Sequence, residues 1–221
     1  MLFSPRATFE SVAAHPKWLD VFLVTLVIGT LAFGAFMFSP VGSQAMKDQM
    51  VQQAEKQIAA QGGNPADAVG RIEAFFPIFR IAIVAASPVI GLLFVMIIAG
   101  VLYGVFGAIL GGGGTFKQAL AVVVHAGIVY QIGALITLTL NYLRANMTSA
   151  TTLGVFAPML AEDSFVFKLL NAIDLVTIWY MVILAMGMAV LYRRKTAMVA
   201  VSFFSLYLII AVIRAVFTRG A

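Results

Sequence analysis

Five stretches of this sequence are long and apolar enough to cross a membrane, and they constrain the fold more than any other feature. Spanning the hydrocarbon core takes about 20 apolar residues. We place the spans at about residues 18–38, 78–110, 117–140, 165–191 and 196–217. Only helices or closed barrels satisfy the backbone in lipid, and continuous apolar runs without alternation indicate helices. The sequence therefore predicts an all-α, polytopic integral membrane bundle of five transmembrane helices.

The low charge content supports this prediction. A soluble domain carries about 25% charged residues, whereas 10% of these 221 residues are charged and 62% are hydrophobic. The net charge of +5 comes from dispersed basic residues near the ends of the apolar runs, where anionic headgroups lie. Membrane lipids, and not nucleic acid, are therefore the expected partners. The lack of cysteine excludes disulfides and thiolate metal sites.

Two polar segments should form amphipathic helices outside the spans. In residues 1–17, Ser4 is followed by Pro5, an order that is typical of a helix start. This segment therefore predicts a cytoplasmic helix on the membrane surface. The outer excursion, residues 39–77, predicts two helices, the first capped by Ser43 and the second beginning after a break at residues 62–65. This excursion either covers the bundle or binds a partner.

The basic residues between the last two spans predict the orientation. This turn carries Arg193, Arg194 and Lys195 and no acid. Short basic loops stay in the cytoplasm. We therefore expect a cytoplasmic N-terminus, a C-terminus outside, and residues 39–77 and 141–164 on the outer side.

Glycines recur near the end of the second span. Gly100, Gly104, Gly107 and Gly111 are spaced three or four residues apart, which places them on one face of a regular helix. In lipid, small residues let helices approach closely. We expect this face to pack against another helix of the chain or against a second copy, and the run 111–114 to form a tight turn.

Asp174 is the most unusual residue within a predicted span. An acid at this depth is costly, so it should face the bundle interior and have a partner. Arg80 lies at a comparable level and is the predicted partner, with Arg144, Lys168 and Arg214 as competitors. Three alternatives remain open: a structural ion pair, a proton or ion relay, and an acid without a role in a water-filled vestibule.

No catalytic, cofactor or metal site is predicted. His125 is expected to make an interhelical hydrogen bond, and Gln131 lies about 120° away around the same helix. The glycine run is not a phosphate loop, because Lys117 follows Phe116 and a membrane helix precedes it. Without paired carboxylates or a nucleophile motif, nothing indicates an enzyme.

Two stretches and the overall layout resemble a known family. The opening FSPRATF and the hairpin LGGGGTFKQALAVVVHA, together with five spans, resemble the bacterial branch of the Yip1-domain family. The resemblance implies that residues 18–221 form a five-helix Yip1-like domain, and it implies no catalytic residues. Family members often have a proline soon after the position of His125, whereas the next proline here is Pro158. The vesicle-traffic role of eukaryotic members does not transfer to bacteria.

The predicted function is that of a non-enzymatic protein of the bacterial inner membrane. It would act as a membrane-organising or partner-binding scaffold that associates with itself, or with other membrane proteins, through the glycines. The alternative is a small transporter or lipid-handling protein that uses Asp174 and a helix kinked at Pro88. That alternative requires Asp174 to line a crevice.

Overall fold

The computed structural model describes residues 4–60, 66–145, 147 and 150–217. These residues form an all-α membrane bundle, as predicted. In chain order the elements are α1 (Pro5–Ala14), α2 (Leu19–Phe38), α3 (Pro40–Ala60), α4 (Ala66–Tyr103), a π-helical segment (Gly104–Ile109), α5 (Phe116–Arg144), a 3₁₀ turn (Leu153–Phe156), α6 (Phe165–Asn171), α7 (Leu175–Leu191) and α8 (Thr196–Phe217).

Four helices of the described chain are long and apolar enough to cross a membrane: α2, α4 with its π-helical extension, α5 and α8. The predicted fourth span, residues 165–191, is not continuous. It divides into α6 and α7, because the Asp174 side chain accepts the backbone N–H of Thr177 and so begins a new helix. The 17 residues of α7 extend about 25 Å, slightly less than the hydrocarbon thickness.

The excursion between the first two spans is simpler than predicted. Helix α3 begins at Pro40, capped by the Ser39 hydroxyl, which accepts the Gly42 N–H at 3.0 Å; Ser43 is not the cap. The second predicted helix is the first part of α4, which runs unbroken through Pro77 and Pro88. The predicted break at residues 62–65 lies outside the described residues.

A serine explains how α4 tolerates its second proline. Pro88 has no N–H to donate to the carbonyl of Val84, four residues earlier. The Ser87 hydroxyl donates to this carbonyl at 2.8 Å instead. In lipid such a freed carbonyl must find a partner inside the protein, so the serine beside the proline keeps α4 continuous.

Helix α5 is the centre of the bundle. It packs against α2, α4 and α7, and half of its most apolar stretch is buried. None of the corresponding stretch of α4 is buried, so α4 presents its large apolar side chains to lipid. The core is therefore built around α5.

The two ends of the bundle differ. At one end, which we call the turn end, lie α1, the turn between the π-helical segment and α5, and the turn between α7 and α8. Gln118 at the start of α5 donates to the Ala13 carbonyl at 2.8 Å, and Arg194 donates to the Leu110 carbonyl at 3.2 Å. The predicted N-terminal helix is α1, and it packs onto the bundle, because the ring of Phe9 is fully buried against α5 and α7.

Candidate functional site

A polar crevice of about 380 Å³ lies at the opposite end of the bundle, which we call the crevice end. Its walls come from α2, α5, the loop before α6 and the start of α7. Among its lining residues Asp174 carries a charge, and the others are uncharged. The polar lining residues are Tyr130, Gln131, Thr137, Thr151, Asp174 and Thr177.

The carboxylate of Asp174 holds the start of α7. One carboxylate oxygen accepts the backbone N–H of Thr177 at 2.9 Å and its hydroxyl at 3.2 Å. The other oxygen accepts the hydroxyl of Thr151, which lies in the loop before α6. A carboxylate at a helix N-terminus is also favoured by the helix dipole. The acid is therefore stabilised by hydroxyls and by backbone.

The break between α6 and α7 is closed by a tyrosine from α8. The Tyr207 hydroxyl accepts the N–H of Asp174 at 2.9 Å and donates to the Ala172 carbonyl at 3.0 Å. The loop before α6 adds two backbone bonds, from Leu153 N–H to Ile173 and from Leu175 N–H to Thr151. The sequence offered no signal for the role of Tyr207.

The predicted contact between Asp174 and Arg80 does not form. Arg80 lies on α4, which packs against α2, α3 and α5. Asp174 lies at the start of α7, which packs against α1, α5 and α8. The two residues are therefore on helices that do not pack closely against each other. The guanidinium of Arg80 lies over the Phe38 ring, 5.3 Å from its centroid. Its Nε is buried and has no hydrogen-bond partner among the described residues.

The two other polar residues predicted in the spans have separate environments. Nδ1 of His125 donates to the Ala121 carbonyl of the same helix at 2.7 Å, so the expected interhelical bond is replaced by an intrahelical one. Gln131 lines the crevice and lies against Gly29 of α2, where a Cβ would come within 2.9 Å of the amide oxygen. The crevice thus contains Gln131 and Asp174 but neither His125 nor Arg80.

The four predicted glycines do not share one packing face. The regular helix ends at Tyr103, and the wider turn of the π-helical segment changes the direction of the residues that follow. Gly107 lies against Tyr103 and Tyr192, and Gly111 lies in the turn with φ +66°. Gly100, in the last turn of α4, and Gly104, the first residue of the π-helical segment, are open, because a Cβ at either would meet no described atom within 4 Å. We call this pair the glycine face.

Close helix packing uses other glycines. A Cβ on Gly133 of α5 would come within 2.1 Å of Val176 on α7. A Cβ on Gly187 of α7 would come within 2.5 Å of Val122 and 2.9 Å of Phe9. Single glycines without a repeat gave no pattern to read in the sequence, so these contacts could not be predicted.

Tyr192 occupies the centre of the turn end. Its ring stacks on Phe106 with 5.5 Å between centroids, and Cβ atoms on Gly112 or Gly114 would overlap or crowd it. Its hydroxyl is buried without a hydrogen-bond partner in the described chain. Burial raises the pKa of Tyr192, and the nearby Tyr103 adds to the increase. The three basic residues that follow, Arg193 to Lys195, are exposed.

Within the residues that the structure describes, no three His, Asp or Glu side chains converge in a way that could hold a metal ion. A family model described as Yip1 domain matches residues 1–215. Comparisons with curated proteins and with solved structures found no match.

Proposed function

Because the chain belongs to the Yip1-domain family, we propose that it is a non-enzymatic protein of the bacterial inner membrane that organises the membrane by binding other membrane components. In this proposal the turn end faces the cytoplasm, since the basic turn Arg193 to Lys195 lies there. The C-terminus of α8 is then outside. The partner at the glycine face is a second copy of the chain or another membrane protein.

The open glycine face is the observation that supports a scaffold. Gly100 of α4 and Gly104 of the π-helical segment form a G-x-x-x-G pair on the candidate span whose most apolar stretch is the least buried of the four. Such pairs let two helix backbones approach closely in lipid. Among the described residues, no atom lies within 4 Å of a Cβ built on either glycine. A neighbouring helix can therefore dock there without displacing any part of the protein.

Replacing one of these glycines tests the scaffold. We expect Gly104→Leu to weaken self-association in liposomes about tenfold, equal to ~1.4 kcal/mol, because the side chain separates the backbones. Energy transfer between labelled copies at several protein-to-lipid ratios measures the association. Gly70→Leu is the matched control, since Gly70 also lies on α4 with open space around it. Monomers at every ratio, or an equal effect of both variants, would refute self-association through the glycine face.

The crevice supports a second function, that of a small transporter or lipid-handling protein. A helix interrupted next to an ionisable residue is the arrangement that binds substrates in many transporters. Here α6 and α7 are interrupted at Asp174, and this residue lines an open crevice. The predicted kink at Pro88 has no place in this site, because α4 runs unbroken through Pro88 and none of the crevice residues belongs to α4.

Single cysteines can test whether the crevice holds water, because the chain has no cysteine of its own. We expect Thr137→Cys to react with a charged, membrane-impermeant thiol reagent, since Thr137 lines the crevice. Ile136→Cys is the matched control, because Ile136 is half exposed on the outside of the bundle and would face lipid. Equal reactivity of both variants, or no reaction of Thr137→Cys from either side of the membrane, would exclude transport through the crevice.

A further inference from the structure

A second cavity of about 200 Å³ lies at the turn end, on the outside of the bundle. It is a groove between the end of α4 with its π-helical extension and the first half of α8. Its lining is apolar except for Ser202 and, at its mouth, Arg194, so we call it the Arg194 groove. Six of its lining residues are Val101, Val105, Leu110, Met198, Phe203 and Leu206.

The groove has a closed floor and an open side. Phe106 and Val199 form the floor and are buried, and the ring of Phe203 meets the edge of Phe106 at 6.2 Å between centroids. Val101 and Leu206, on the two walls, are each 59% exposed. The groove is therefore open towards the surrounding lipid along its length.

The mouth of the groove is basic. The Arg194 guanidinium donates to the Leu110 carbonyl at 3.2 Å, which holds it at the end of the π-helical segment. This bond uses one of the five N–H donors of a guanidinium. Arg193 and Lys195 are exposed beside it, and the turn that joins α7 to α8 contains no acid. Cations thus stand where the apolar groove meets the membrane–water boundary.

We propose that the Arg194 groove binds one phospholipid with an anionic headgroup. One acyl chain lies along the apolar floor, and the phosphate lies at the mouth against Arg194 and its basic neighbours. Arginine donors recognise phosphate oxygens well, and each basic residue near a membrane surface attracts anionic lipid.

A protein helix does not fit the same space. From Met198 to Leu206 the groove extends about 12 Å along α8. A helix of that length and a diameter of about 10 Å occupies roughly 900 Å³, whereas the empty space in and over the groove is about 680 Å³. A flexible hydrocarbon chain has no such minimum width, so a lipid is the occupant that suits both the shape and the charge.

Retention of lipid by the purified full-length protein tests this inference. The protein is equilibrated in detergent with equal amounts of phosphatidylglycerol and phosphatidylcholine that have identical acyl chains, and bound lipid is counted by native mass spectrometry. We expect phosphatidylglycerol to be retained preferentially. We expect Arg194→Gln to reduce that preference about fivefold, the effect of one interfacial cation. The control is Arg6→Gln, which removes one exposed charge from the same end but away from the groove.

A second variant and a soluble competitor separate the parts of the proposal. Val105→Trp should fill the groove and reduce retention of both lipids. Glycerol 3-phosphate, which has no acyl chain, should not displace phosphatidylglycerol at equal concentration. Equal retention of both lipids by the unaltered protein, an equal effect of Arg6→Gln, or displacement by glycerol 3-phosphate would each overturn the proposal. None of these variants replaces Gly100 or Gly104, and the scaffold proposal is tested separately by Gly104→Leu.

Discussion

The turn end and the crevice end of this bundle are stabilised in different ways. At the turn end, aromatic rings fill the space over glycines: Phe9 lies against Gly187, and Tyr192 lies against Gly112. At the crevice end, hydroxyls and a carboxylate make hydrogen bonds around an open space of about 380 Å³. Rings packed over glycines are thus the main feature of the turn end, and hydrogen bonds around the break in the helix are the main feature of the crevice end.

The difference follows from the break between α6 and α7. Where helices are continuous, their backbone groups are paired internally, and apolar side chains can fill the remaining space. Where a helix is interrupted in lipid, its free N–H and C=O groups need partners from the protein. Asp174 and Tyr207 supply these partners. The carboxylate and hydroxyls on the α7 side of the crevice are thus a consequence of the interruption, whatever the crevice binds.

The largest effect is expected from overpacking the turn end. Gly187→Val should lower the free energy of unfolding by about 3 kcal/mol, because its side chain would overlap Val122 and Phe9. Unfolding in mixed detergent micelles, followed by circular dichroism, measures the loss. Gly127→Val is the control, because a Cβ at Gly127 of α5 meets no atom within 4 Å. An equal loss of unfolding free energy in both variants would show that the close contacts of Gly187 do not stabilise the turn end.

The next largest effect is expected from removing the carboxylate of Asp174. Asp174→Ala should cost about 2 kcal/mol, because α7 loses its cap and Thr151 loses its acceptor. The same unfolding measurement applies. Asp174→Asn keeps a capping oxygen and should lose less than half as much. An equal loss in both variants would mean that the charge, and not the hydrogen bonds, stabilises the crevice end.

A smaller loss is expected when the tyrosine that closes the break loses its hydroxyl. Tyr207→Phe should lower the free energy of unfolding by about 1.5 kcal/mol, because the Asp174 N–H and the Ala172 carbonyl lose their partner. Faster amide hydrogen exchange at Asp174 would locate the change. Unaltered exchange there would show that these two backbone groups have another partner.

The same substitution at the turn end should have the smallest effect. Tyr192→Phe should change the free energy of unfolding by less than about 0.5 kcal/mol, because the hydroxyl has no hydrogen-bond partner among the described residues. The ring and its stacking on Phe106 remain. Measured beside Tyr207→Phe, this variant compares the two ends directly. A loss as large as that of Tyr207→Phe would contradict the contrast between packing and hydrogen bonding.

Most of the architecture followed from the sequence. Apolar runs predicted the helices, since the cost of unpaired backbone in lipid leaves few other structures. The tight turn predicted at residues 111–114 is followed by a capping box between Thr115 and Gln118, which begins α5. The family was recognisable from the same hairpin and the layout. These features depend on neighbouring residues or on the solvent, so they need no knowledge of distant contacts.

What only the tertiary structure decided depends on which helices meet. The predicted partner of Asp174 was Arg80, but the acid is bound by residues from the preceding loop and its own helix. The four glycines were predicted to share one face, but three of them lie beyond the regular helix, two in the π-helical segment and one in the turn. The packing at Gly133 and Gly187 depends on which side chains lie opposite them. Depth along a helix can be counted in the sequence, whereas the neighbours around it are set by how all the helices pack together.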